Sequence, residues 1–437
     1  MVQRQKLTRR ELLKSSAVTA GALVLGGAAV PRLQARGSDT IRVGVVGCGG
    51  RGSGAARNCV KSSPGVRIVA LADAFEDCLT SLKNEYKVSN RRCFVGLDAY
   101  KKLMALDDVN LVILATPPGF RPIQLAEAIK QGKNVFMEKP VAVCPAGIKM
   151  VIETSNEAKE KGLAIVAGTQ RRHEPKYVET MKRIHDGAIG EIVSAQCYWN
   201  QGALWVDRAK TNWDNYKSGK WSDVEWQIRN WLFIKWLSGD HIVEQHVHNI
   251  DVINWAFDAL PEQVHGLGGR QDRTGPQYGN IFDHFGVEFF YPDDVRTIST
   301  CRQIPDTTNR VSERVVGTKG VSNCAGSIEG ENPWRYEGPN PDPYEVEHAD
   351  LIKSIRSGNP LNEGQRIAES TLCAIMGRES AYSRRQFNRS WFMSKCTLNL
   401  LPPDDLKLSD SKRLDPFAVP GVYQLPGLVQ SRKSRRG

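Results

Sequence analysis

The 437-residue chain has no C-x-x-C, no H-E-x-x-H, no internal repeat and no apolar run long enough for a good membrane span. A spanning helix needs roughly 20 apolar residues. The mild apolar stretch at 17–30 is shorter and rich in glycine, so no stable transmembrane span is expected. Ten cysteines without paired spacing argue against a disulfide scaffold; they read as small buried hydrophobes. His241, Glu244 and His248 are zinc-type donors, but they lack a recognised metal spacing, and His246 and His248 point apart on a helix. No metal is expected. A charge excess is also missing from the body. Of the formal +11, residues 1–35 carry +5 and the tail 431–437 carries +4, leaving the rest near +2. That gives no case for nucleic acid.

What the chain does have is concentrated in residues 41–73. A β-branched apolar run, 41–46, is too short for a helix and reads as a buried parallel strand. It breaks into Gly47-Cys48-Gly49-Gly50-Arg51-Gly52, a G-x-G-x-x-G, followed by a small-residue helix and a second strand, 66–72, ending at Asp73. Gly47 permits the turn, Gly49 and Gly50 leave room for a pyrophosphate, and Gly52 lets helix and strand pack closely. The helix start offers free N–H groups to phosphate. Asp73, at the end of the second strand, suits a ribose diol and would meet a 2′-phosphate with like charge, which favours NAD over NADP.

Strand–helix alternation continues to residue 168, with strands at 93–95, 110–115, 134–137 and 163–167. This predicts a doubly wound parallel sheet, whose ligands bind beyond the carboxyl ends of the strands. There fall Thr116, Pro117, Glu138, Lys139, Gln170 and Arg172. A second, α+β domain over 169–386 follows, with an open, mostly antiparallel sheet beginning at 191–199 and a hairpin of strands 281–291 and 296–303. Asp283 and His284 read as a solvated edge pair. Residues 205–236 carry six of the ten tryptophans; such faces stack on sugars or simply bury area, and the sequence favours neither. On a predicted helix after residue 239, Glu244, His248 and Asp251 share one face at i, i+4 and i+7. Residues 387–437 read as a proline-rich, irregular extension that wraps a surface and ends in the basic tail.

The glycine loop, Ala115-Thr116-Pro117-Pro118, Glu138-Lys139-Pro140, Gly168-Thr169-Gln170-Arg171-Arg172 and the Glu244–His248–Asp251 helix together resemble the Gfo/Idh/MocA family of oxidoreductases over residues 41–385. The resemblance implies a Rossmann domain over 36–168 and Lys139 and His248 as the catalytic pair. It also implies Glu244, Arg172, His246 and Asp251 on the substrate side, and homo-oligomers paired through the open sheet, as dimers or tetramers. The dinucleotide would contact Gly47, Gly49, Gly50, Arg51, Gly52, Asp73, Thr116, Pro117, Glu138, Lys139 and Gln170. Glu244 and His246 depart from residues common in the family, Asp and Gly, and Arg121 stands where His is common.

Oxidising a sugar hydroxyl needs a base at the departing proton, and histidine, with a pKa of roughly 6.5, suits that role. At the N-terminus, Thr8-Arg9-Arg10-Glu11-Leu12-Leu13-Lys14 resembles a twin-arginine export motif. Residues 1–35 are therefore expected to be a signal peptide read by the twin-arginine translocase, giving a periplasmic protein; retention as an uncleaved anchor is the lesser reading. The expected function is an exported NAD-dependent oxidoreductase acting on a sugar or glycoside and keeping its cofactor. The alternatives are redox-assisted glycoside cleavage and a non-catalytic ligand-binding protein on the same fold.

Overall fold

The computed structural model describes residues 40–428. The expected signal peptide and the basic tail 431–437 lie outside the described residues. The first sheet is built from β1 (Ile41–Val46), β2 (Val66–Asp73), β3 (Cys93–Val95), β4 (Leu111–Leu114), β5 (Asn134–Met137) and β6 (Ile165–Ala167), in the order β3-β2-β1-β4-β5-β6. All its pairings are parallel. Between the strands run α1 (Gly50–Ser62), α2 (Glu76–Tyr86), α3 (Ala99–Met104), α4 (Arg121–Lys130) and α5 (Pro145–Glu160). Because helices cover both faces, the central strands are mostly apolar: every residue of β4 is buried. Strand order reverses between β1 and β4, which opens a crevice at their carboxyl ends.

The second part begins with α6 (Pro175–His185) and β7 (Ile192–Gln201), then α7 (Val206–Lys217), α8 (Asp223–Arg229), and the short α9 (Lys235–Ser238) and α10 (His241–Glu244). After α11 (Val247–Phe257) come β8 (Gln263–Gly269), β9 (His284–Phe290), β10 (Arg296–Gln303), β11 (Arg310–Gly317), β12 (Gly320–Ser322), β13 (Ser327–Gly330) and β14 (Trp334–Arg335). The chain closes with α12 (Pro343–Ser357), α13 (Gly364–Ser383), β15 (Phe387–Asn388) and α14 (Arg389–Lys395). The nine strands run β14-β13-β12-β11-β7-β10-β9-β8-β15. β7, expected as the first strand of this sheet, is its central one, parallel to β10 and antiparallel to β11.

Alternation on this sheet is two-sided: Phe285, Val287 and Phe289 of β9 point into the core while their neighbours stay partly exposed. α11 and α13 cover the inner face. α13 approaches β8 so closely that a Cβ on Gly266 would stand 2.8 Å from both Ala381 N and Gly377 O. The same helix packs on α5 of the first domain.

The hairpin brings one correction. Asp283 is wholly buried, where a solvated edge pair was expected. Its carboxylate accepts from the backbone N–H groups of Gln271 (2.8 Å), Asp272 (2.7 Å) and Arg273 (3.0 Å), and pairs with His284 Nδ1 at 2.7 Å. Burial opposes its charge, but these donors outweigh that and bring its pKa down to about 2. No helix among the described residues is long and apolar enough to cross a membrane.

Candidate active site

The glycine loop lies at the β1/β4 crevice. Gly47 has φ +89°, and a Cβ there would sit 2.6 Å from the backbone of Ala115 and Thr116. A Cβ on Gly52 would strike Gly47 O at 1.8 Å, whereas Gly49 and Gly50 have nothing within 4 Å. The loop is therefore packed tightly behind and open in front, a backbone cradle that fits a pyrophosphate at the start of α1. Asp73 is fastened to the loop. Its Oδ2 accepts from Cys48 N at 2.7 Å and its Oδ1 from Phe75 N at 3.0 Å. Burial nonetheless raises its pKa above the usual range. The cleft beyond it is lined by Gly47, Gly49, Asp73, Phe75, Thr116 and Pro117 on the first-domain side. Thr116 Oγ1 bonds Gln124 Oε1 at 2.6 Å. Arg121 is fully buried and donates to Thr116 O and, at 2.5 Å, to Pro140 O, so it ties the two strand-end loops together.

At the end of β5, Glu138 accepts from Arg51 Nε at 2.5 Å, and Arg51 lies 4.7 Å over the Tyr344 ring. Lys139 Nζ donates to Glu244 O at 2.5 Å and to Glu244 Oε1 at 3.2 Å. His248 is buried and stacks on Trp199, ring centroids 5.6 Å apart. Burial pushes its pKa well below 6.5, and the positive charges of Lys139, Arg171 and Arg51 push it further, so the ring is neutral. Two polar atoms here, Glu244 Oε2 and His248 Nδ1, are buried without any protein partner. Leaving such atoms unpaired costs ~1–3 kcal/mol each, a cost that a bound hydroxyl beside the Lys139 ammonium would remove.

The other expected substrate-side residues have partners within the protein. The predicted continuous helix is broken: α10 ends at Glu244 and α11 starts at Val247, so Glu244, His248 and Asp251 do not share one helical face. The carbonyl of Glu244 is taken by Lys139, and His248 N turns to Gln245 O at 3.4 Å instead. Asp251 is held by Arg172 (2.8 and 3.0 Å), Arg366 (3.3 Å) and Ser370 (2.8 Å). His246 Nε2 bonds Ser299 Oγ at 2.7 Å inside the second core, where burial lowers its pKa to about 3. Gln170 Nε2 reaches Tyr344 OH at 3.2 Å, and its Oε1 is buried without a partner.

Sequence reasoning passed over Arg171 and Trp199. Arg171 pairs with buried Glu313, which also accepts from Asn249 at 2.6 Å, and its guanidinium lies 5.8 Å from the Trp199 ring centroid. Arg171 sits beside Arg172 in the same short run, but nothing in the run itself distinguishes the two; β11 supplies the partner.

An NAD-binding Rossmann domain joined to a second, largely antiparallel sheet, with a lysine–glutamate pair and a neutral histidine between them, defines a class of dinucleotide-binding proteins. The comparisons make it specific. Residues 41–168 match the oxidoreductase family with an NAD-binding Rossmann fold, Gfo/Idh/MocA, and residues 177–322 match the C-terminal domain of that family. The chain belongs to the Gfo/Idh/MocA family.

Among curated relatives, 2,7-anhydro-N-acetylneuraminate hydratase of Mediterraneibacter gnavus is 26% identical over 58% of this chain and 59% of its own. Inositol 2-dehydrogenase of Rubrobacter xylanophilus is 28% identical over 58% and 62%, and a glycosyl hydrolase family 109 protein of Shewanella pealeana is 23% identical over 48% and 51%. The chain thus spans about half to three-fifths of the length of these relatives. The fold is shared with scyllo-inositol dehydrogenase of Lactobacillus casei, solved with NAD(H) and scyllo-inositol. That match has a TM-score of 0.61 and 20% identity, and covers 80% of this chain and 99% of that one.

Proposed function

We propose that the protein is an exported NAD-dependent oxidoreductase acting on a hydroxyl of a sugar or glycoside and retaining its cofactor through the cycle. The observation that carries this reading is the Lys139–Glu244 pair, whose Glu244 Oε2 is buried without a partner and whose Lys139 charge is felt by a neutral, buried His248. When bound, NAD would supply a two-electron hydride acceptor, and the carbonyl of a second sugar would take that hydride back, so that a retained cofactor ends each cycle oxidised. Lys139 orients the substrate oxygen and stabilises negative charge growing on it, Glu244 fixes Lys139, and neutral His248 takes the hydroxyl proton. Asp73 would hold the adenosine ribose, and its carboxylate would meet a 2′-phosphate with like charge, which favours NAD over NADP.

Retention follows from the expected location. A periplasmic dehydrogenase that released NADH each turnover would need NAD outside the cytoplasm, and the twin-arginine route carries proteins already folded around a cofactor. A second reading, redox-assisted bond cleavage, is favoured by the hydratase and glycosyl hydrolase among the relatives. There transient oxidation acidifies a neighbouring C–H, and His248 or Lys139 removes that proton. Pairing of two copies through the second sheet, where Leu267 and Ile298 stand exposed on the outer face, is part of the proposal.

The test is absorbance and mass analysis of the purified, undialysed protein, followed by incubation with sugars and glycosides without added NAD. Stoichiometric NAD or NADH with oxidised, exchanged or cleaved products supports the reading and separates its two forms. Protein that emerges empty and turns over only with supplied NAD sinks retention; protein that binds NAD without turnover is a non-catalytic binder. Fractionation of cells carrying Arg9→Lys with Arg10→Lys tests export, which these substitutions are expected to block.

A further inference from the structure

The tryptophan-rich residues 205–236 do not form a core of the second sheet. α7 and α8 cross instead to the first domain, and Arg208, Ile228, Arg229 and Trp231 line the cleft opposite Gly47, Asp73 and Pro117. Arg229 makes the crossing contact: its guanidinium lies 3.7 Å over the Phe75 ring, and it pairs with Asp77 of α2 at 3.2 Å and with Glu225 at 2.9 Å. This segment closes one side of the crevice that fits the dinucleotide.

A third piece of chain lies over it. Beyond α14, residues 396–428 run without helix or strand. Their Leu400, Leu406, Leu408 and Leu414 pack into one apolar cluster with Phe75 and Phe120 of the first domain and Trp226, Ile234 and Trp236 of the crossing segment. Polar contacts repeat the pattern. Val224 N donates to Asp410 O (3.3 Å), Gln227 Nε2 to Lys412 O (2.6 Å), and Ser222 Oγ to Leu408 O. Gln227 faces both ways, since its Oε1 accepts from Trp236 Nε1 at 2.7 Å. The strap is tied down at both ends. Leu400 N reaches Cys144 Sγ at 3.2 Å, and Tyr423 OH donates to Glu379 Oε2 at 2.7 Å. The strap lies beyond residue 322, where the match to the family's C-terminal domain ends.

We propose that residues 205–236 are a cap on the adenosine end of the dinucleotide site and that residues 396–428 are a clasp holding the cap shut, so that dinucleotide exchange requires release of the clasp. The inference rests on reading the cleft as the NAD site. An open cleft lets a ligand leave by breaking its own contacts alone. Here the exit also requires separating an apolar cluster shared by three chain segments, which raises the barrier to opening and lowers the dissociation rate.

The experiment is displacement of bound NAD by an excess of isotopically labelled NAD, followed by mass spectrometry, in the full-length protein. Ser222→Ala with Gln227→Ala, and separately Leu408→Ala, loosen the clasp without touching the glycine loop, Lys139 or His248; melting curves confirm that each variant is folded. Exchange accelerated at least tenfold in either variant is the expected result. Exchange within twofold of the unsubstituted protein in both overturns the clasp, whatever the rate of that protein. If the unsubstituted protein itself exchanges within seconds but the variants are faster still, the clasp stands and cofactor retention through turnover fails. A protein with no affinity for NAD overturns both.

Discussion

The two ends of the crevice are built in opposite ways. The phosphate-binding floor of the dinucleotide end is made of neighbours in sequence: the glycine loop, α1 and Asp73 lie within 41–73, and their contacts are mostly backbone. The reacting end is made of side chains far apart in the chain. Lys139 meets Glu244 across 105 residues, and the charges around His248 come from Arg51, Lys139 and Arg171. The first kind of site depends on space and backbone geometry, so it fails when a Cβ is added. The second depends on charge and proton affinity, so it fails when a functional group is removed.

That contrast predicts separable damage. His248→Ala is expected to lower turnover by ~10²–10⁴-fold, the range for losing a positioned proton acceptor, while leaving NAD affinity nearly unchanged. Steady-state rates beside calorimetric NAD titration check it, and loss of NAD binding in this variant would break the distinction. Gly52→Ala should do the reverse. Its Cβ cannot lie 1.8 Å from Gly47 O, so the loop must shift. NAD affinity should fall by at least about 100-fold, ~2.7 kcal/mol, in the same titration.

Glu244→Gln sharpens the comparison within the reacting end. It keeps an oxygen for Lys139 but removes the negative charge beside it, and a decrease of about tenfold in turnover is expected with NAD affinity unchanged. A parallel fall in NAD affinity and melting temperature would make Glu244 merely structural.

The smallest expected effect on turnover lies outside both ends and is read as stability instead. Burial opposes charge on His173, but its hydrogen bond to Asp350 and its ion pair with Glu363 win and raise its pKa to about 9. The folded state therefore holds its proton more tightly than the unfolded chain does. This stability is complete below about pH 6.5 and is lost as pH rises through about 9, by at most ~3 kcal/mol. Denaturant melts across that window should show the decline, and His173→Gln should flatten it.

The same division explains what could be read from the sequence. The glycine loop, its flanking strand and helix, and Asp73 were legible because period, turn chemistry and function coincide in one short stretch. The Glu244–His248–Asp251 face was not, because Lys139 takes the Glu244 carbonyl and interrupts the helix from a distant strand end. Asp283 shows the same limit. Its charge is satisfied by three backbone N–H groups that only folding brings to it, whereas two polar residues near the start of a predicted strand read as a wet edge. The tryptophans of 205–236 offered stacking or burial equally. Which partners they meet is decided by a strap nearly 200 residues later.

α13 has a consequence for recombining this protein with others. The helix is buried along almost its whole length, with β8 on one side and α5 on the other, and its first turn is preceded by a bridge from Asn362 to β6. It is a partition wall owned by neither room. A chimera cut at the boundary between the two sheets, keeping one domain and borrowing the other, inherits two half-surfaces shaped for different walls. A workable graft has to carry α13 together with both surfaces that it separates.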